Sequence, residues 1–201
     1  MVSEVDDVGF VRTLIETLVE RGEAEKGRIY LAGISNGGMM TFRLLCEAAP
    51  LFAGAATIIA NMPAPTGAAC KPAKAVPLIM FNGTGDPIVP YAGGRVGFKG
   101  MRGAVWGAEE TARLFAGRAG CSTFREIQVP RPSSFDLSIT RLEWGICAER
   151  AGVALFRFEG GGHQVPGGKA FLPVLLGPNT QRVDAAKTIV ELFAQLQRGS
   201  R

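Results

Sequence analysis

The stretch RIYLAGISNGGMM at residues 28–40 is the feature that most restricts what this chain can fold into. Apolar residues at positions 29–31 are typical of a short buried strand. They lead into a G-x-S-x-G pattern centred on Ser35, and residues 39–49 then contain few helix breakers. A strand, a sharp turn and a helix are the context in which this pattern forms a nucleophile elbow. An ordinary glycine-rich turn also fits the pattern when it is taken alone.

The two glycines of the pattern have an expected role in such an elbow. The serine must sit in a strained turn so that its oxygen stands clear of the sheet. Gly33 and Gly37 are therefore expected to remove side chains that would block close packing around Ser35.

The rest of the chain alternates between strand-like and helix-like segments. Asp6 or Asp7 can cap the first helix, and Gly22 can end it. The predicted helices are Asp7–Arg21, Met39–Ala49, Ala104–Arg118 and Thr180–Gln197, and the predicted strands are Arg28–Ala32, Ala53–Ala60, Val76–Asn82, Thr123–Val129, Asp136–Trp144 and Val153–Phe158. Residues 61–74 are predicted as a loop and residues 130–133 as the turn between paired strands. This alternation predicts a single α/β domain over residues 1–201, with a mostly parallel sheet and flanking helices.

Charge and hydropathy narrow the classes of partner. The net charge of +4 comes from scattered lysines and arginines, so nucleic-acid binding is not expected. No apolar run approaches the roughly 20 residues that a membrane span needs, so no membrane partner is expected. The opening MVSEVDD lacks the basic and then apolar plan of a signal peptide. Either the protein is intracellular, or a leader has been removed, or the chain begins inside a longer gene product.

The cysteines are four in number, without a C-x-x-C pair. Because the chain has a single histidine, a zinc site is not expected, and no other metal or cofactor is indicated. An even count allows two disulfides in an oxidising compartment, and four free thiols in the cytosol remain the alternative.

A serine nucleophile needs a base, and the base needs an orienting group. His163, the only histidine, follows the predicted strand Val153–Phe158 and three glycines. Asp86 likewise lies just past a predicted strand, whereas Asp136 and Asp184 are weaker candidates for the acid. The order Ser35, Asp86, His163 is that of α/β-hydrolases. We therefore expect a catalytic triad at the carboxyl ends of the strands.

Several longer motifs carry a family resemblance. GISNGGMM, NGTGDPIVPY, AGC at Cys121 and EGGGHQVPGG together resemble the secreted polyhydroxybutyrate depolymerase and feruloyl esterase family of α/β-hydrolases. The resemblance covers about residues 6–196. It implies Ser35 as nucleophile, His163 as base and Asp86 as acid. It also implies the disulfides Cys46–Cys70 and Cys121–Cys147, and a secreted or periplasmic location.

The chain departs from this family at three places. Asn82 stands where histidine is usual, and Gln164-Val165 stands where Thr-Trp is common, which alters any aromatic contact with substrate there. Family members also carry strands before the first helix, and one of their loops supplies a His-Gly segment to the oxyanion hole. This chain has no residues for them. The backbone N–H of Asn36 is therefore expected to give one oxyanion donor, and the second donor is either missing or comes from elsewhere.

The same departure has a consequence for assembly. Without those earlier strands, Arg28–Ala32 would be left as an unpaired apolar edge, which is primed for pairing with another chain. We expect the chain to form a homo-oligomer through this edge or to dock a partner there.

Together these expectations predict that the protein is a serine carboxylic-ester hydrolase that acts on small acyl or aryl esters. Polyhydroxyalkanoate or feruloyl esters are implied by the resemblance alone. Trp106 and Phe171 are expected to contact the substrate. The alternatives are a weakly active or inactive hydrolase remnant that serves as a binding module, or a peptidase or thioesterase on the same scaffold.

Overall fold

Fourteen helices and strands make up the part of the chain that the computed structural model describes, which is residues 5–131, 133–148 and 151–198. In chain order they are α1 (Asp7–Glu20), β1 (Tyr30–Ile34), α2 (Asn36–Glu47), β2 (Gly54–Ile58), α3 (Ala64–Ala69), β3 (Leu78–Gly83), β4 (Gly94–Arg95), β5 (Ala104–Val105), α4 (Ala108–Arg118), β6 (Thr123–Gln128), β7 (Ile139–Gly145), β8 (Val153–Phe158), α5 (Pro173–Leu176) and α6 (Ala185–Arg198). Residues 1–4 of the opening stretch MVSEVDD and residue 132 of the predicted turn lie outside the described residues.

A six-stranded sheet organises the fold, with the strand order β1-β2-β3-β8-β7-β6. The pairs β1–β2, β2–β3 and β3–β8 are parallel, whereas β7 pairs antiparallel with both β8 and β6. Every residue of β2 and β3 is buried, as parallel strands covered on both faces require. The prediction of an α/β-hydrolase-like, mostly parallel sheet with flanking helices is confirmed.

Two hydrophobic clusters cover the two faces of this sheet. One joins the sheet to α1, α2 and α4 through residues such as Val8, Phe42 and Phe115. The other joins it to α6 through residues such as Phe156 and Ile189. None of the helices in the described part of the chain is long and apolar enough to cross a membrane.

The first helix begins and ends close to its predicted bounds, for the expected local reasons. The Asp6 carboxylate accepts a hydrogen bond of 2.8 Å from the N–H of Gly9, which satisfies one of the free donors of the first turn. Gly22, with φ of 71°, follows the end of the helix in the left-handed region.

Several predicted bounds are wrong, and tertiary contacts explain the shifts. The first strand runs over Tyr30–Ile34, because its limits follow its pairing with β2, and Arg28 instead turns back to Glu25. The helix predicted from Met39 begins already at Asn36, immediately after Ser35. It ends at Glu47, and Ala49–Leu51 form a separate 3₁₀ turn around Pro50.

Further differences lie in the loops and in the last helix. Residues 61–74 contain α3 rather than a continuous loop. Ala104–Val105 pair as a strand with Gly94–Arg95, so α4 starts only at Ala108. The last helix starts at Ala185 instead of Thr180, because Asp184 accepts a hydrogen bond of 2.9 Å from the N–H of Lys187 and so caps it.

Both disulfides that the resemblance implied are confirmed. Cys46–Cys70 ties α2 to the residue that follows α3. Cys121–Cys147 ties the approach to β6 to the exit from β7.

Candidate active site

Ser35 lies on a strained turn between β1 and α2. Its backbone has φ of 52° and ψ of −118°, a conformation that costs free energy for any residue with a side chain. Its N–H donates to the carbonyl of Ile58 at 2.9 Å, which ties the turn to the end of β2. The hydroxyl makes no capping hydrogen bond to α2, so it points away from the helix that it precedes.

Close packing around this turn requires glycine at one predicted position and not at the other. A Cβ at Gly33 would lie 2.3 Å from the carbonyl oxygen of Gly37, so a side chain there is excluded. A Cβ at Gly37 would have no atom within 4 Å, and the prediction that Gly37 clears space for packing is therefore wrong. Gly38 has that role instead, because its Cβ would lie 2.5 Å from the Cβ of Ala60.

Ser35, His163 and Asp86 form one hydrogen-bonded chain. The Nε2 atom of His163 lies 3.0 Å from the Ser35 hydroxyl oxygen. The Nδ1 atom of the same ring lies 2.7 Å from Oδ2 of Asp86. The His163 side chain is 11% exposed and that of Asp86 is 2% exposed, so the carboxylate is shielded while the imidazole keeps access to the surface.

The second oxygen of Asp86 fixes the carboxylate in place. Oδ1 accepts hydrogen bonds of 2.8 Å from the N–H groups of Ile88 and Val89. Since an ionised carboxylate can only accept, Nδ1 of His163 carries the proton and Nε2 is free to accept the proton of the Ser35 hydroxyl. The arrangement can therefore remove a proton from that hydroxyl.

The weaker acid candidates lie elsewhere. Asp184 caps α6 through the N–H of Lys187. Asp136 lies in a turn, where its N–H donates to the carbonyl of Ser133. Asp86 is the carboxylate that the structure brings to His163.

Asn36 is the first residue of α2. Its N–H is one of the four donors that the start of a helix leaves without an intrahelical partner. Among the described residues no acceptor for it is found, so this donor beside Ser35 has no hydrogen bond within that part of the chain.

The two predicted substrate contacts have different surroundings. Trp106 is half-buried, and its indole packs so closely on α3 that a Cβ at Gly67 would lie 2.7 Å from Cε2 of Trp106. Phe171 is 66% exposed on the loop that follows His163, and it belongs to a group of exposed apolar side chains there. The others are Leu172, Val174 and Leu175.

Gln164 holds this loop next to His163, a role that the sequence reasoning missed. Its buried amide accepts from the N–H of Phe171 at 3.0 Å and donates to the carbonyl of Phe171 at 2.7 Å. It also donates to the carbonyl of Gly177 at 3.1 Å, and the His163 N–H donates to the carbonyl of Leu176 at 2.6 Å. The adjacency of Gln164 to the only histidine was the available signal.

A cavity of about 540 Å³ lies elsewhere, between α6 and strands β3, β6, β7 and β8, and none of the three linked side chains lines it. In the described part of the chain no three His, Cys, Asp or Glu side chains are grouped closely enough to hold a metal ion.

Comparisons with known proteins find relatives and a solved structure that are named as esterases. No family model matches the chain. It is 28% identical over 198 residues to "Putative esterase NocK" of Nocardia uniformis subsp. tsuyamanensis, covering 93% of this chain and 57% of that protein. It is 30% identical over 170 residues to "Feruloyl esterase B" of Piromyces equi, covering 83% of this chain and 30% of that protein.

The chain thus spans little more than half of the first relative and under a third of the second. A crystal structure of a thermostable esterase is also similar, with a TM-score of 0.39 and 23% identity over 57% of this chain and 25% of that one.

Proposed function

We propose, for a chain that is α/β-hydrolase-like in fold and related in sequence to esterases, that it is a serine carboxylic-ester hydrolase acting on small acyl or aryl esters. The observation that carries the proposal is the hydrogen-bonded chain from Ser35 through His163 to Asp86, with spacings of 3.0 and 2.7 Å. Such a chain activates a hydroxyl that is otherwise a weak nucleophile.

The reaction proceeds by acyl transfer. The Ser35 oxygen attacks the ester carbonyl while Nε2 of His163 takes the hydroxyl proton, and the Asn36 N–H stabilises the oxyanion. The carbon–oxygen bond to the alcohol then breaks, and His163 returns the proton to the departing alkoxide. Water attacks the acyl-enzyme by the same route, which releases the acid and regenerates the Ser35 hydroxyl.

Esters fit this site better than amides. Each oxyanion donor typically contributes about 100- to 1,000-fold to turnover. Asn36 is the oxyanion donor that we identify. Substrates with good leaving groups, such as aryl esters, need the least transition-state stabilisation from such a site. Feruloyl esters are the first natural substrates to test, because one relative is named feruloyl esterase B. Polyhydroxyalkanoate oligomers are the second.

The compartment we propose is an oxidising one, either secreted or periplasmic. Its support is the pair of disulfides Cys46–Cys70 and Cys121–Cys147. Structural disulfides persist mainly outside the reducing cytosol.

The test of the function compares four reagents on the intact chain: p-nitrophenyl acetate, an acyl thioester, a peptide p-nitroanilide and a fluorophosphonate. We expect the acetate to be hydrolysed fastest and the fluorophosphonate to label one residue per chain, mapped by mass spectrometry to Ser35. A faster anilide or thioester would instead identify a peptidase or thioesterase. Absence of both turnover and labelling would identify a binding module that retains only the geometry of a hydrolase.

A further inference from the structure

The loops that carry Asp86 and His163 run side by side beyond the ends of β3 and β8. We call residues 83–86 and 158–163 the paired loops. The N–H of Thr84 donates to the carbonyl of Phe158 at 2.9 Å, and the N–H of Gly85 donates to the carbonyl of Gly161 at 2.9 Å. The parallel pairing of the two strands therefore continues into the loops.

Glycine is required for this close approach. A Cβ at Gly83 would lie 2.1 Å from the carbonyl oxygen of Gly161, and a Cβ at Gly85 would lie 2.8 Å from that of Gly160. The paired loops are thus in backbone contact, and the spacing between Asp86 and His163 depends on that contact.

Thr84 adds the side-chain link between the paired loops. Its hydroxyl oxygen accepts from the N–H of Gly160 at 2.7 Å and donates to Oε2 of Glu159 at 3.2 Å. Both partners lie in the loop that leads to His163, and Thr84 itself lies two residues before Asp86. One hydroxyl therefore bridges the approaches to the acid and to the base.

Glu159 is itself held by a charged cluster. Its Oε1 lies 2.6 Å from Nε of Arg157 as an ion pair without hydrogen-bond alignment. Arg157 also donates to Glu109 at 3.2 Å, and Glu109 accepts from the Tyr91 hydroxyl at 3.1 Å. Burial lowers the pKa of Arg157, but the neighbouring groups, Glu159 first among them, raise that pKa by more, so the net change is a rise. For Tyr91, burial raises the pKa and Glu109 raises it further, so the phenol keeps its proton and stays a donor.

We propose that Thr84 is a positioning residue that sets the separation of Asp86 and His163, an inference that rests on the proposed esterase function. The hydroxyl of Thr84 contacts neither residue, so it acts through the register of the paired loops. A displacement of about 1 Å in such a site can cost about 100-fold in rate.

Thr84→Val tests this, because valine keeps the shape and removes the hydroxyl. We expect kcat for p-nitrophenyl acetate to fall about 10- to 100-fold with KM changed less than about twofold. Thr84→Ser should restore kcat to within about threefold, because it returns the hydroxyl. The matched control is Thr17→Val, which removes a hydroxyl that donates to the Thr13 carbonyl on α1.

A second measurement needs no substrate. His163 is the only histidine, so a downfield proton signal of its Nδ1–H can be assigned without ambiguity by NMR. Thr84→Val should shift or broaden that signal, and Thr84→Ser and Thr17→Val should leave it unchanged. An unchanged signal and an unchanged kcat in Thr84→Val would overturn the positioning role. A shifted signal in a protein without esterase activity would overturn the function and leave the positioning role standing.

Discussion

Changing Ser35 to Ala is expected to lower kcat for p-nitrophenyl acetate by about 10⁴-fold. The variant loses the only oxygen that lies within hydrogen-bonding distance of Nε2 of His163 among the described residues. KM should change little, because the removed atom forms its bond with the substrate only as the reaction proceeds. Fluorophosphonate labelling should disappear in the same variant, measured by intact-mass spectrometry.

Ser35→Ala is not expected to destabilise the fold. The Ser35 side chain makes no capping hydrogen bond to α2, and the strained backbone of the turn is held by the bond from the Ser35 N–H to the Ile58 carbonyl. Ser122→Ala is the control, since that exposed hydroxyl donates only to the Ile146 carbonyl. If Ser35→Ala kept labelling or kept a rate within tenfold of the wild type, another nucleophile would be responsible.

The parts of the fold that could be predicted from sequence are those with local causes. The strand Val153–Phe158 was predicted at its observed bounds, because an apolar run ends in glycines there. The three linked side chains were found because each follows a strand, and the carboxyl ends of parallel strands meet at one edge. Where they meet depends on the strand order. It places β3 beside β8, so that Leu78 pairs with Val153, which lies 75 positions further along the chain.

The parts that could not be predicted depend on contacts between distant residues. Thr84 and Gly160 are 76 positions apart, and the sequence around each of them contains no pattern that predicts their hydrogen bond. The amide of Gln164 finds its partners in a loop without periodicity. Gly37 and Gly38 are indistinguishable in the pattern, and only the approach of Ala60 decides which of them must lack a side chain.

Asp86→Asn is expected to lower kcat by about 10⁴-fold while the protein stays folded. Two backbone N–H groups, those of Ile88 and Val89, point at Oδ1, so the amide oxygen of Asn takes that position. Its NH₂ group then faces Nδ1 of His163, where the carboxylate oxygen had accepted at 2.7 Å. A donor there forces Nδ1 to accept and moves the ring proton to Nε2. The imidazole can then no longer take the proton of the Ser35 hydroxyl.

The comparison with two other variants separates this tautomer effect from loss of stability. Asp86→Ala leaves the N–H groups of Ile88 and Val89 without their acceptor, which should cost about 1–3 kcal/mol in the free energy of unfolding measured by urea denaturation. Asp86→Asn should unfold near the wild-type urea concentration, because its oxygen still accepts both bonds. Asp136→Asn, in a turn away from His163, should keep kcat within about twofold. If Asp86→Asn retained kcat within tenfold of the wild type, Asp86 would not be the group that orients the imidazole, since an amide at 2.7 Å from Nδ1 cannot hold the ring in the reactive tautomer.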